Sequence, residues 1–252
     1  MIASGEIRRR SRGFLLPVAL ILLAETIGRI VELNSLTVAI PSSVAAAFWA
    51  ALQDGSIVSA TTQTLLSVAI GVTIGTVIGL LLGIMLGLVR QLDRVFALTI
   101  ELIRPIPTVA LIPLVILISG LGYVTEISII AFGTLWPVFI LSRAAIHDVE
   151  PRLFEVAQAL GLSWMQRVLM IVIPSIAPRI FLAFRLAVGF ALIIAVTVEI
   201  TTNPLGLGNS MTLAQNALNP ALALALLVWI GLVGWVLGWV LHGVERLIFF
   251  TP

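Results

Sequence analysis

The chain has 252 residues, of which 60% are drawn from AVILMFWYC and only 10% are charged. A typical soluble domain carries roughly 25% charged residues. With a mean hydropathy of +1.18, its 14 basic and 12 acidic side chains cannot cover a soluble globule, so the composition excludes a soluble enzyme and requires an integral membrane protein. There is no Cys, and all 14 basic residues are Arg. That removes disulfides, thiolate chemistry, a lysine Schiff base and a Walker A loop, so any ATP must be bound by another chain. A net charge of +2 gives no argument for nucleic-acid binding.

A membrane-spanning helix needs about 20 mostly apolar residues. The sequence offers six such segments in one membrane domain, residues 1–252. Residues 1–13, rich in Arg, precede span one at about 14–33, where Glu25 and Arg29 stand at i,i+4. Pro41 and Ser42 open a short amphipathic helix over 44–52. Span two lies in the charge-free run 55–89, whose early Thr61, Thr62, Gln63 and Thr64 suit an interface. It carries Gly71, Gly75, Gly79, Gly83 and Gly87, one small-residue face at a spacing of four. Such a face lets another helix approach closely, either within the chain or as the seam of a homodimer.

Span three, about 95–119, contains Pro105, Pro107 and Pro113, which bend or break a helix. Irregular backbone at membrane depth is tolerated where protein or a watery cavity satisfies it. Glu101 and Arg104 stand at i,i+3, where they can neutralise each other as a structural pair or serve a transport path. Span four covers about 126–142 and span five about 180–201. Arg185 and Glu199 are isolated charges in span five. Arg185 suits snorkelling, and Glu199 suits a solvated helix end or an external gate. Span six, about 221–241, carries Gly231, Gly234 and Gly238 among Trp229, Trp235 and Trp239.

With the N-terminus inside, Arg8, Arg9, Arg10, Arg12, Arg90, Arg94, Arg143, Arg152, Arg167, Arg179 and Arg246 all fall on the cytoplasmic side, and only Arg29 falls outside. This bias orients six spans with both termini in the cytoplasm. The longest cytoplasmic stretch, 143–179, is strongly patterned. Pro151 fits the first turn of a helix. Leu153, Phe154, Ala157 and Leu160 form its apolar stripe, and Gly161 its stop. Ser163 with Gln166 forms a capping box for a second helix, which Pro174 and Pro178 are expected to end. Two short helices on a Gly turn are what a docking element for a soluble partner requires.

Glu155-Val156-Ala157, Gly161 and Ile173-Pro174 resemble the EAA loop of permease subunits of binding-protein-dependent ATP-binding-cassette importers, with Val156 departing from the name-giving Ala. Arg104-Pro105, Pro107, Pro113-Leu114, Gly120, Gly122, Pro137, Asp148, Pro151, Arg185, Glu199 and Gly206-Leu207-Gly208 resemble the nitrate/sulfonate/taurine branch, over roughly residues 90–210. The resemblance implies an all-α type I importer permease fold in a bacterial inner membrane. It implies two permease copies, two ATPase subunits docked below and an external binding protein. ATP and Mg would sit on the ATPase, while this chain would bind no cofactor and do no covalent chemistry. Pro151, Leu153, Phe154, Glu155, Ala157, Leu160, Gly161 and Pro174 would form the ATPase dock. Glu101, Arg104, Pro105, Pro107, Pro113, Arg185 and Glu199 are the pathway and gate candidates, with a small anion as the favoured solute. The competing reading, a secondary transporter or channel, would need coupling carboxylates from Glu25, Glu101 and Glu199.

Overall fold

Small residues at a spacing of four decide which helices touch. In the computed structural model, which describes residues 3–31 and 35–249, with side chains from residue 15 onward except that of Phe154, the closest helix pair is built on the glycine stripe. The helices are α1 (Ala3–Ile30), α2 (Pro41–Gln53), α3 (Ser56–Leu88), α4 (Arg90–Ile103), α5 (Ile112–Ser119) and α6 (Tyr123–His147). They continue with α7 (Pro151–Ala159), α8 (Trp164–Arg167), α9 (Ile173–Thr202), α10 (Leu207–Asn216) and α11 (Pro220–Phe249). Among the described residues there is no strand.

Helices α3 and α6 run parallel. Gly71 lies against Ile130, Gly75 against Thr134, Gly79 against Leu135 and Val138, Gly83 against Ser142, and Gly87 against Ile146. A Cβ on Gly79 would sit 2.6 Å from the Leu135 carbonyl oxygen, and one on Gly83 would sit 2.9 Å from that of Phe139. The stripe is therefore filled from within the chain and is not open as a seam for a second copy. Helix α9 runs antiparallel to both and presents its own small-residue row: Ala183, Ala187, Ala191 and Ala195, all at 0% exposure. Val68, Val72, Ile130, Val188, Leu192 and Val233 complete the core between α3, α6, α9 and α11.

Among the described residues, four helices are long and apolar enough to cross a membrane: α3, α6, the run Trp164–Thr202 and α11. Taken together, Arg90–Ile103 and Thr108–Ser119, bent by 82° at their junction, meet the same test as one broken span. Helix α1 covers most of the segment read as span one, whose last residues, 32–34, lie outside the described residues. It meets α2 through a 2.9 Å hydrogen bond from the Ser42 N–H to Glu25, which also holds Arg29 at 2.6 Å.

One expectation is corrected here. Pro174 and Pro178 do not end the helix that Ser163 opens, because the chain stays helical from Trp164 to Thr202. A π-turn over Val168–Val172 precedes Pro174, and Pro178 sits inside α9. The wider turn shifts the hydrogen-bond register where the proline N–H is missing, so the helix continues.

The bundle has two distinct ends. The C-terminus of α6 and the starts of α4 and α9 carry Arg90, Arg143 and Arg179. The opposite end holds α2, α10, the start of α6 and the close of α9.

Candidate functional site

The element at the arginine-bearing end is rigid and apolar. Helix α7 starts on Pro151 at its first turn. It stops at Gly161, whose φ of +66° places it in the left-handed region. The Leu162 N–H reaches the Ala157 carbonyl and the Gly161 N–H reaches that of Gln158, each at 3.0 Å, which together make a Schellman stop. Ser163 and Gln166 then form a reciprocal capping box. Both ends of the turn are thus pinned by backbone bonds.

On this frame Leu153, Val156, Leu160, Trp164 and Met165 are exposed, Leu160 at 69% and Trp164 at 61%. Glu155 is exposed on the same helix, whereas Ala157 is fully buried. The Phe154 side chain lies outside the described residues. Water gains nothing from so much apolar surface on so short an element, and a partner's groove does.

The bent span places Pro105 and Pro107 between α4 and a 3-10 turn over Thr108–Leu111, with Pro113 in the first turn of α5. Thr108 packs over Gly133 of α6, where a Cβ would lie 3.2 Å from its methyl carbon. Glu101 and Arg104 are both exposed, and no ion pair joins them. The helix ends at Ile103 with Arg104 as its cap. Arg185 is already paired: its guanidinium lies 3.0 Å from Glu245 and 3.2 Å from the His242 Nδ1.

Two further acid–arginine pairs stand at this end. Arg143 grips Asp93 with a two-toothed contact at 2.6 and 2.7 Å, joining α6 to α4. Arg179 meets Asp148 at 2.6 Å, so the bases of α9 and α6 are tied just before α7 leaves the bundle.

At the opposite end Glu199 is at 0% exposure, which removes the reading of a solvated helix end. Its carboxyl lies against Gly206, where any Cβ would overlap it. The Gly208 N–H donates to Glu199 Oε2 at 2.8 Å, and the Leu207 N–H to the Thr64 hydroxyl at 3.0 Å. The Gly206-Leu207-Gly208 motif is therefore the start of α10 folded onto a buried acid, with its first free N–H groups capped by α9 and α3.

Glu126 was missed by sequence reasoning, where it stood as the first residue of span four. It too is fully buried and accepts from the Asn203 amide at 2.6 Å. Tyr123 donates to Gln63 of α3 beside it. A Glu seven residues before a Gly-x-Gly was the available signal for half of this cluster. Nothing local signals the other half.

An all-helical membrane bundle with a broken span, and a stiff apolar element on its arginine-bearing end, has the architecture of a transport permease. Residues 75–249 match the family described as "Binding-protein-dependent transport system inner membrane component", and the chain belongs to that family. The riboflavin transport system permease protein RibX of Chloroflexus aurantiacus is 35% identical over 211 residues, 82% of this chain and 78% of RibX. The Escherichia coli (strain K12) protein SsuC, named for aliphatic sulfonates transport, is 32% identical over 202 residues, 80% of this chain and 76% of SsuC. Among solved structures, the inward-facing MetNI methionine ABC transporter shares the fold with a TM-score of 0.69 at 20% identity, covering 77% of this chain and 96% of that one. The chain is thus a permease of the ABC importer class, and SsuC falls within the branch that residues 90–210 resemble.

Proposed function

We propose that two copies of this chain line the solute path of an importer, and that α7 and α8 seat in a separate ATPase subunit. The ATPase alone binds ATP and Mg. Closing of its dimer on ATP turns the permease outward, and hydrolysis returns it. A binding protein delivers the solute to the end that holds α10. The arginine-bearing end, with both termini, faces the cytoplasm, in keeping with the positive-inside bias.

The observation that carries the reading is the pinned α7–Gly161–α8 element, with Leu153, Leu160 and Trp164 turned to solvent. A second copy would cover the bent span α4–α5, because the glycine stripe is occupied by α6. The bent span is also where Arg104 stands without a carboxylate, unlike Arg185, whose charge Glu245 offsets. We therefore place the preference for a small anion, of the sulfonate, nitrate or taurine kind, on Arg104 alone.

The test is ATPase activity of the complex in lipid, with and without the co-encoded binding protein. The wild type is expected to be stimulated. A Glu155→Ala/Gly161→Pro variant should lose the stimulation and the co-purifying ATPase. Transport that persists without ATP, with no ATPase bound to the wild type, overturns the reading.

A further inference from the structure

The end of the bundle that holds α10 buries two acids, and neither is paired with a cation among the described residues. Glu126 of α6 and Glu199 of α9 are both at 0% exposure. The one ion pair at this end, Glu25 with Arg29, is between α1 side chains beside α2 and involves neither acid. One oxygen of each carboxyl is satisfied by a neutral donor: Glu126 Oε2 by the Asn203 amide at 2.6 Å, and Glu199 Oε2 by the Gly208 N–H at 2.8 Å. The other oxygen of each, Oε1, is buried and has no donor, and the buried Ser67 hydroxyl of α3 also has no partner. The two carboxyls are neighbours, with Ser67 beside Glu126 and Thr64 beside Glu199.

Two ionised carboxylates in contact, shut away from water and without a cation, repel strongly in a low dielectric. Buried oxygens without donors add a further cost. A single proton between them removes one charge, turns the repulsion into a short charge-assisted O–H···O bond and satisfies both orphan oxygens. The remaining charge faces the Asn203 amide and the N-terminus of α10, both suited to an anion.

We propose that Glu126 and Glu199 bind one proton between their carboxyl groups, forming a proton-held clasp that joins α6, α9 and the start of α10. Around the clasp, α3 contributes the neutral side chains Gln63, Thr64 and Ser67. The other titratable group close to both acids is Tyr123 on α6, whose hydroxyl is engaged by Gln63. The competing occupant of the same gap is a metal cation, which the four carboxyl oxygens and Ser67 could also attract.

The test is infrared spectroscopy on the full chain, carrying 13C-labelled glutamate, purified with its ATPase in lipid at neutral pH. The wild type is expected to show a protonated-carboxyl carbonyl band that shifts with the label. That band should be lost in Glu126→Gln and in Glu199→Gln. Each variant should melt within about 3 °C of wild type, because an amide N–H can take the place of the shared proton. Absence of the band in wild type overturns the proposal, as does its persistence unchanged in both variants. A wild-type melting temperature that rises with added sodium or calcium, with no band, assigns the gap to a cation instead. Should neither variant fold, the labelled wild-type spectrum still decides.

Discussion

The two ends of this bundle solve the problem of charge in opposite ways. At the arginine-bearing end Asp93, Asp148 and Glu245 each meet an arginine on another helix, and all these side chains keep some contact with solvent. At the other end Glu126 and Glu199 have no arginine and no solvent, and are held by an amide, a backbone N–H and each other. Charge pairs that touch water are individually weak and can be remade. A buried polar cluster is expensive to disturb at any single point. The end that carries α7 and α8 is thus tied by bonds that can exchange, and the far end by a cluster that moves as a unit.

Thermal unfolding of variants in detergent can break that contrast, and the largest effect should come from the buried end. Gly206→Val places a Cβ on the Glu199 carboxyl, which has nowhere to retreat, and should cost about 3 kcal/mol or more. Asn203→Ala strips Glu126 Oε2 of its donor and should cost about 2 kcal/mol. Arg143→Ala leaves Asp93 with 14% of its side chain exposed; partial solvation reduces the loss to about 1–2 kcal/mol. Asp148→Ala breaks a pair exposed at 62% and 54% and should change stability by less than about 1 kcal/mol. If Asp148→Ala proved as damaging as Asn203→Ala, the distinction between exchangeable and fixed ends would fail.

The smallest effect concerns Asp54, in the turn between α2 and α3. The Ser56 side chain and then its N–H hold this carboxyl below its ordinary value of 3.8. A lowered carboxyl contributes stability above its unfolded pKa and loses it as pH falls through the folded one. Asp54→Asn should therefore melt slightly lower than wild type at neutral pH, and the two profiles should converge as the pH falls through the acid range.

Much of the frame was legible because it is written locally. The glycine spacing of α3, the Gly161 stop and the Ser163 box are short-range patterns with a direct backbone meaning. The alanine row of α9 was not read, because Ala183, Ala187, Ala191 and Ala195 are inconspicuous in a segment already apolar throughout. The uninterrupted helix through Pro174 and Pro178 depends on a π-turn, which hydropathy does not encode. Glu101 and Arg104 stand one helical turn apart as spaced, Arg104 capping α4 with helical backbone, yet both side chains stay exposed and unpaired with each other. Glu126 could not be distinguished from an ordinary acid at a helix start, because what buries it comes from α3, α9 and α10.

The parallel register of α3 and α6 has a mechanical consequence. Each glycine of one helix is keyed to a residue four further along the other: Ile130, Thr134, Val138, Ser142, Ile146. Intermediate offsets would drive side chains into backbone, so the two can slip past each other only by whole turns of about 5.4 Å. Small axial displacements cannot be lost as shear between them. A nudge given to the foot of α6 arrives at its head, and at the side of α3, at full amplitude, as along a splined shaft.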